Sequence, residues 1–314
     1  MDEEGTGHAV GYTFKQKLHA WWEGYDLPPF GDLGIAESDD DAASSDDGGT
    51  LDAQSDPNTL SPDKLAFLQL LWGDGFVRPG SKDQALNSAK PLLLTDSTTV
   101  IEFGSGLGVS TRAVAAANIC YVDGFESDRI LVDAASTLKQ SAEEAKFASV
   151  RSIELGSMPN DKTYHRAIFN RYLHRLEDPV AMLGEMKMQL KEDGGAILLN
   201  EYTAGLGGLL PDATQAMMDG FGAPRALISR DVYATALEEL GFEIRVNEDL
   251  SAEHMRDIAG AWTKLDERLV SEAEKIDLGA ISGFISDETA RWGAISKALR
   301  EGSLEYARIL AILK

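Results

Sequence analysis

Three glycines at alternate positions follow an acid in VIEFGSGLGVSTRAV, residues 100–114. A turn of this kind between a strand and a helix lets a ligand approach the backbone, and the N-terminus of the following helix favours negative charge. Gly104, Ser105, Gly106 and Gly108 are therefore candidates to hold an anionic group, with Glu102 placed to meet a cation. The spacing departs from the dinucleotide fingerprint G-x-G-x-x-G, whose third glycine would fall where Val109 stands. Further on, GFESDRILVDAA puts Glu126 and Ser127 at the end of a second strand, where an acid accepts ribose hydroxyls.

Other polar groups gather in YHRAIFNRYLHRLEDP and LKEDGGAILLNEY. Asn170 ends one apolar run. His174 follows it as a candidate general base, its reference pKa near 6.5 suiting proton transfer at neutral pH, or as a histidine that orders the loop. Glu201 and Tyr202 lie just beyond the next apolar run, where substrate contacts collect in open α/β sheets, or where a side chain caps the loop. The five histidines, at 8, 19, 165, 174 and 254, show no paired ligand spacing, so no metal is expected.

These residues need a scaffold of alternating elements. Apolar, β-branched runs at 98–103, 119–125, 149–154, 165–170 and 195–200 read as strands, and 109–117, 128–143 and 178–190 as helices between them. The pattern predicts a parallel sheet wound on both sides, with ligands at the carboxyl ends of its strands. A helix at 61–73 opens the body, capped by Ser61, started by Pro62 and stopped by Gly73. A helix at 229–240, a strand at 242–248, a long helical region at 250–300 and a last strand at 304–313 close it. The expected fold is a Rossmann-like, doubly wound α/β sheet, mostly parallel with a final antiparallel strand, plus a helical N-terminal segment and a helical insert. Residues 203–226, glycine-rich and carrying Met217, Met218 and Phe221, read either as a mobile cover or as a helical insert packed into the core.

E-x-G-x-G-x-G at 102–108, with the two segments around Asn170 and Glu201, resembles class I S-adenosylmethionine (SAM)-dependent methyltransferases that act on small molecules; Asn170, Leu173, His174, Leu176, Asp178 and Pro179 match the fourth-strand motif. The resemblance covers residues 62–314 and implies SAM as cofactor, a small-molecule or protein methyl acceptor, and cofactor contacts at Glu102, Gly104, Ser105, Gly106, Gly108, Glu126, Ser127, Ser157, Met158 and Asn170. It implies catalytic roles for His174, Glu201 and Tyr202. LLWGDGFVRPGS, residues 70–81, is similar to the closing segment of phosphoethanolamine methyltransferases at Phe76, Val77 and Gly80, but has Arg78 and Pro79 where serines are expected. Two departures from the family pattern, Gly156–Ser157 in place of an adenine-binding acid and His165 in place of an aspartate, leave room for a protein that binds SAM without turnover.

Ahead of this body the sequence changes character. Residues 37–58 hold eight acids, no base and hardly an apolar side chain, and read as a flexible linker. In the arm at 1–36, Phe14, Leu18, Trp21, Trp22 and Tyr25 fall on one helical stripe, which docks on residues 59–314 or on a protein partner through residues 12–30. A net charge of −23 opposes a phosphate backbone, so no nucleic acid is expected as substrate. The single cysteine, Cys120, forms no internal disulfide and fits a reducing compartment. No apolar run of about 18 residues occurs in the chain, so no membrane span is expected, and the cytoplasm is the expected location.

Overall fold

A computed structural model describes residues 60–138, 146–159, 162–205, 210–219, 227–271 and 277–314. The arm at 1–36 and the acidic linker at 37–58 lie outside the described residues.

The body opens with α1 (Pro62–Trp72), whose start follows from its sequence: the Ser61 side chain accepts from the Lys64 N–H at 3.1 Å and proline fills the first helical position. Gly73 stops it at φ 102°. Then come α2 (Lys82–Ala89), β1 (Thr99–Phe103), α3 (Val109–Asn118), β2 (Tyr121–Glu126), α4 (Arg129–Thr137) and β3 (Ala148–Ser152). These are followed by β4 (Arg166–Asn170), α5 (Pro179–Gln189), β5 (Ala196–Ala204), α6 (Asp212–Asp219), α7 (Arg230–Glu239) and β6 (Phe242–Asp249). The chain ends with α8 (Ser251–Ser271), α9 (Leu278–Glu301) and β7 (Leu304–Leu313).

Seven strands form one sheet in the order β3-β2-β1-β4-β5-β7-β6, parallel from β3 to β5, with β7 antiparallel to both its neighbours. The order reverses between β1 and β4, and a crevice opens at such a point because the connections leave to opposite faces. One face packs Ile101, Phe103, Phe169 and Leu199 against Met182 and Met186 of α5 and Tyr233 and Leu237 of α7. The other packs Val100, Val122, Ile168 and Leu198 against Ala89 of α2 and Val114 and Ala115 of α3.

A third core joins α1, α6, α8 and α9 to the ends of β5 and β7. Phe67, Trp72, Trp262, Trp292 and Leu299 meet Tyr202 and Leu304 there, with the Trp72 and Trp292 rings edge-on at 4.8 Å. Two helices of this cap, α8 and α9, fill the helical region expected at 250–300, between β6 and β7. Among the other expected elements one boundary shifts, the end of β5. The described helix after β2 ends at Thr137, and residues 139–145 lie outside the described residues. β5 runs on to Ala204, because antiparallel β7 pairs with it from Ala196↔Ile312 to Ala204↔Leu304. Of the 203–226 stretch, α6 buries Met218 in the cap core, as the packed-insert reading expects, while the Met217 side chain and Phe221 lie outside the described residues. Cys120 is buried, and burial pushes its thiol up to about 11.

Candidate functional site

The glycine turn after β1 is held from within. Gly104 N–H and Ser105 N–H donate to the Phe125 carbonyl at 2.9 and 3.2 Å, Gly106 N–H to Glu126 Oε2 at 2.9 Å, and Gly108 N–H to the Ser105 carbonyl at 2.8 Å. These four donors are committed, so what the turn offers a ligand is shape and the start of α3, whose first-turn N–H groups have no intrahelical partner. Gly104 sits at φ 78°, and a Cβ there would lie 2.2 Å from the Asn170 carbonyl oxygen; this glycine lets β1 and β4 close on each other. Gly106, at φ 55°, has nothing within 4 Å of where a Cβ would be. The space above it is a cleft of about 470 Å³ lined by Gly104, Ser105, Gly106, Val109, Glu126 and Asn170.

Glu126 joins the first and second strands at this cleft. Its Oε1 accepts from the N–H groups of Ser127 at 2.8 Å and Asp128 at 3.1 Å, and its Oε2 from Gly106. A carboxylate oxygen has two lone pairs, so Oε2 keeps capacity for one more donor, such as a ribose hydroxyl. Ser105 Oγ, buried, has no hydrogen-bond partner among the described residues and lines the same cleft. An open glycine floor, an acid with acceptor capacity and an unpaired hydroxyl fit an adenosyl ligand. Ser127 Oγ accepts from Arg175 Nη1 at 2.9 Å. Ser157 N–H donates to the Glu154 carbonyl, and Met158 packs on the core of the α5 face; neither lines the cleft.

A second, larger cavity of about 760 Å³, open to solvent, lies on the α2–α3 face under the cap. A row of polar side chains crosses four strands along its floor. Asn170 Nδ2 donates to Glu102 Oε1 at 2.6 Å and Asn200 Nδ2 to Asn170 Oδ1 at 2.9 Å. Asn200 Oδ1 in turn accepts from Ser88 Oγ at 3.0 Å and Arg308 Nε at 3.5 Å. Burial raises the Glu102 carboxyl above the usual carboxylate range, opposed by its hydrogen bonds. Asn170 and Arg171 line both cavities and mark where they meet.

His174, Glu201 and Tyr202 come together, but behind these cavities and not in them. His174 Nδ1 lies 2.5 Å from Glu201 Oε1, both side chains 1% exposed. Glu201 Oε2 accepts from the Tyr172 and Leu173 N–H groups at 2.8 and 2.6 Å. Burial lowers the His174 pKa, opposed by Glu201, so the ring is neutral and donates its Nδ1–H. The pair ties the loop after β4 to the end of β5. Tyr202 Oη meets His254 Nε2 at 2.8 Å, and the His254 ring stacks on Tyr306 at 4.1 Å. His254 is pulled down to about 3 by burial and, to a lesser degree, by Arg171; Tyr202 is pushed up by burial. Neutral His254 therefore accepts a hydrogen bond from the Tyr202 hydroxyl, which keeps its proton.

Sequence reasoning missed Arg171, His254, Tyr306 and Arg308, which line the second cavity. Arg171 had a signal, since it directly follows Asn170 at a strand end; the other three come from elements far along the chain. Above the glycine turn lies the strap at 73–81. Gly75 packs so closely that a Cβ there would be 2.1 Å from Val109 Cγ2, and Arg171 Nη1 donates to the Pro79 carbonyl at 2.7 Å. Arg78 lines the cleft above Gly106 together with Glu126, and burial brings its pKa down to about 10.

A family profile described as a methyltransferase domain matches residues 77–246. No curated protein matches the chain. Among solved structures it is similar to phosphoethanolamine N-methyltransferase 2 of Haemonchus contortus, bound to phosphomonomethylethanolamine and S-adenosylhomocysteine: TM-score 0.68, 14% identity, covering 81% of this chain and 59% of that one. The chain thus spans less than two thirds of that enzyme's length. It is similar also to the cyclopropane synthase MmaA2 of Mycobacterium tuberculosis (TM-score 0.60, 14% identity, 81% of this chain and 94% of that one). A third likeness is to geranyl diphosphate C-methyltransferase of Streptomyces coelicolor (TM-score 0.54, 13% identity, 74% of this chain and 76% of that one). At these identities the likeness is one of fold.

Proposed function

The chain belongs to the class I SAM-dependent methyltransferase family, and on that premise we propose that it methylates a small molecule held in the cavity beneath its helical cap. The observation that carries this reading is the 2.9 Å bond from Gly106 N–H to Glu126 Oε2, which sets the glycine turn and the ribose-binding acid on one cleft floor at the switch point of the sheet. SAM supplies an electrophilic methyl on a sulfonium, open to in-line displacement by the acceptor.

The protein's part is alignment and exclusion of water, which alone lower such a barrier substantially. Asn170, between the cleft and the cavity, holds the Glu102 carboxyl and orients the floor on which the two ligands meet. The strap and the cap cover the site. His174 and Glu201 fix the ends of β4 and β5, and Tyr202 fixes His254; in this reading they position the pocket wall without touching the acceptor. His254, held neutral with a pKa of about 3, is a poor base, which suits an acceptor that arrives with its lone pair available.

A protein that binds SAM without turnover is the second reading. The burial of the His174–Glu201 pair supports it, because the expected base does not reach the cavity. A protein acceptor recruited by the 12–30 helix is less favoured by a site enclosed under a cap. The deciding experiment is calorimetry of the full chain with S-adenosylhomocysteine and with NAD. Micromolar binding of the first and none of the second is expected; tighter binding of NAD defeats the proposal. Transfer of radiolabelled methyl from SAM into the small-molecule fraction of a cell extract then separates enzyme from scaffold.

A further inference from the structure

We infer that the acceptor carries an anionic group, a phosphate or a carboxylate, and that Arg171 binds it where the cofactor cleft meets the capped cavity. The inference rests on the methyl-transfer reading and adds to it the class of substrate.

The chain is strongly acidic, at −23, yet cationic side chains converge on this junction. Arg78 and Arg171 line the cofactor cleft, and Arg171 and Arg308 line the capped cavity. Arg175 approaches Glu126 at 3.8 Å from the loop after β4. Burial lowers the Arg78 pKa, Glu126 opposes that, and Arg175 and Arg171 add to it, so three guanidinium groups share this junction with one carboxylate already engaged by backbone N–H groups.

Arg171 is set in place as a binding group. It directly follows β4 in the left-handed region at φ 49°, a conformation a non-glycine residue adopts only when its surroundings hold it there. Its backbone N–H donates to the Asn200 carbonyl at 2.8 Å, Nη1 reaches the Pro79 carbonyl of the strap, and the Tyr306 side chain lines the same cavity. Nε is buried and has no hydrogen-bond partner among the described residues. No carboxylate among the described residues lies within ion-pair distance of this guanidinium. Glu126 has three of its four lone pairs occupied by backbone N–H groups, and Glu102 is held by Asn170. A buried guanidinium donor without a partner is costly, and a phosphate or carboxylate oxygen satisfies it with a charge-assisted bond.

The far wall of the cavity adds polarity. Glu253 and Asp257 lie one turn apart on α8, and Asp257 is engaged by Gln84 Nε2. These acids repel an anion from the α8 side, so the anionic group is directed to the Arg171 end, next to the methyl donor's cleft.

The test uses the full chain saturated with S-adenosylhomocysteine and titrated separately with inorganic phosphate and with acetate, against sodium chloride at matched ionic strength. Thermal unfolding reads the binding. One of the two anions raises Tm and chloride does not; phosphate or acetate, whichever acts, identifies the group. Arg171→Met weakens that anion about tenfold or more, Arg171→Lys less, and S-adenosylhomocysteine affinity by calorimetry stays within about twofold. Absence of an anion-specific shift in the unsubstituted chain overturns the inference. So does a parallel loss of S-adenosylhomocysteine affinity in the variants, which makes Arg171 part of the cofactor site, either directly or through its bond to the strap. Should Arg171→Met not fold, the unsubstituted chain and Arg171→Lys still decide. Failure of S-adenosylhomocysteine to bind the unsubstituted chain is a separate result and defeats the methyl-transfer reading itself.

Discussion

Glu126 illustrates how one carboxylate serves two ends. Three backbone N–H groups fix it, and Oε2 keeps capacity for one more donor, which the proposed reading gives to a ribose hydroxyl. Glu126→Ala is expected to weaken S-adenosylhomocysteine by roughly 1–3 kcal/mol in calorimetry; unchanged affinity moves the ribose site elsewhere. Glu201 differs, since all its acceptor contacts are internal. Glu201→Ala strands the His174 ring and two N–H groups in the interior, and about 3–5 kcal/mol of stability is expected to go in urea denaturation. A rate lost with stability intact would instead mark a direct chemical role. His254 links the site to pH. Its folded pKa, about 3, lies below the ordinary 6.5, so the unfolded chain takes up a proton that the folded chain refuses. The stability it contributes is complete above pH 6.5 and falls as pH drops toward 3, by about 1.4 kcal/mol per pH unit. Buried His174 acts in the same direction. His254→Gln is expected to flatten the fall measured between about pH 6.5 and 5 by close to one proton.

At the scale of elements, the turn between β1 and α3 separates folding from binding within three residues. Gly104→Ala combines a left-handed φ with a contact of 2.2 Å to the Asn170 carbonyl, a backbone atom that cannot step aside, so β1 and β4 must part. Gly106→Ala meets open space and costs only the left-handed strain, about 1–2 kcal/mol. The expected pattern is a folded Gly106→Ala protein with weakened S-adenosylhomocysteine binding and a Gly104→Ala protein that is severely destabilised. Circular dichroism and calorimetry on both variants check it. Similar destabilisation in the two would mean that the space above Gly106 is structural and not a ligand floor.

The whole molecule is a sheet with a cap, and the cap comes from four segments spread from α1 to α9. Of the cap, the start of α8 lines the larger cavity, through Glu253, His254 and Asp257, and this cover is what favours a small acceptor in the proposed reading. Among the described residues no helix is long and apolar enough to cross a membrane. The 1–36 arm and the 37–58 linker stand as proposals: an aromatic helix at 12–30 docks on residues 59–314 or on a partner protein. Five large apolar side chains at about 1.5–3 kcal/mol each favour burial before ordering costs. Deleting residues 1–58 lowers Tm if the arm docks on its own body. Unchanged Tm with a lost binding partner places it on another protein, and no change in Tm, oligomeric state, activity or binding removes both roles.

Local signals determined much of this. Ser61, Pro62 and Gly73 bound α1, apolar runs locate β1, β2, β4 and β5 to within two residues at their starts, and the alternation of the two element types points to a parallel sheet, whose strand order only the structure supplies. Each of these depends on neighbours in the chain, which a sequence displays directly. Tertiary structure decided the rest, because it depends on contacts between distant segments. Pairing with β7 carries β5 to Ala204 and buries Glu201 and Tyr202. Residues up to 29 positions apart turn a candidate base at His174 into a neutral clamp, since burial disfavours its charge and Glu201 takes its proton donor. Arg171, His254, Tyr306 and Arg308 stand side by side around one cavity only because the fold brings β4, α8 and β7 to the same end of the sheet.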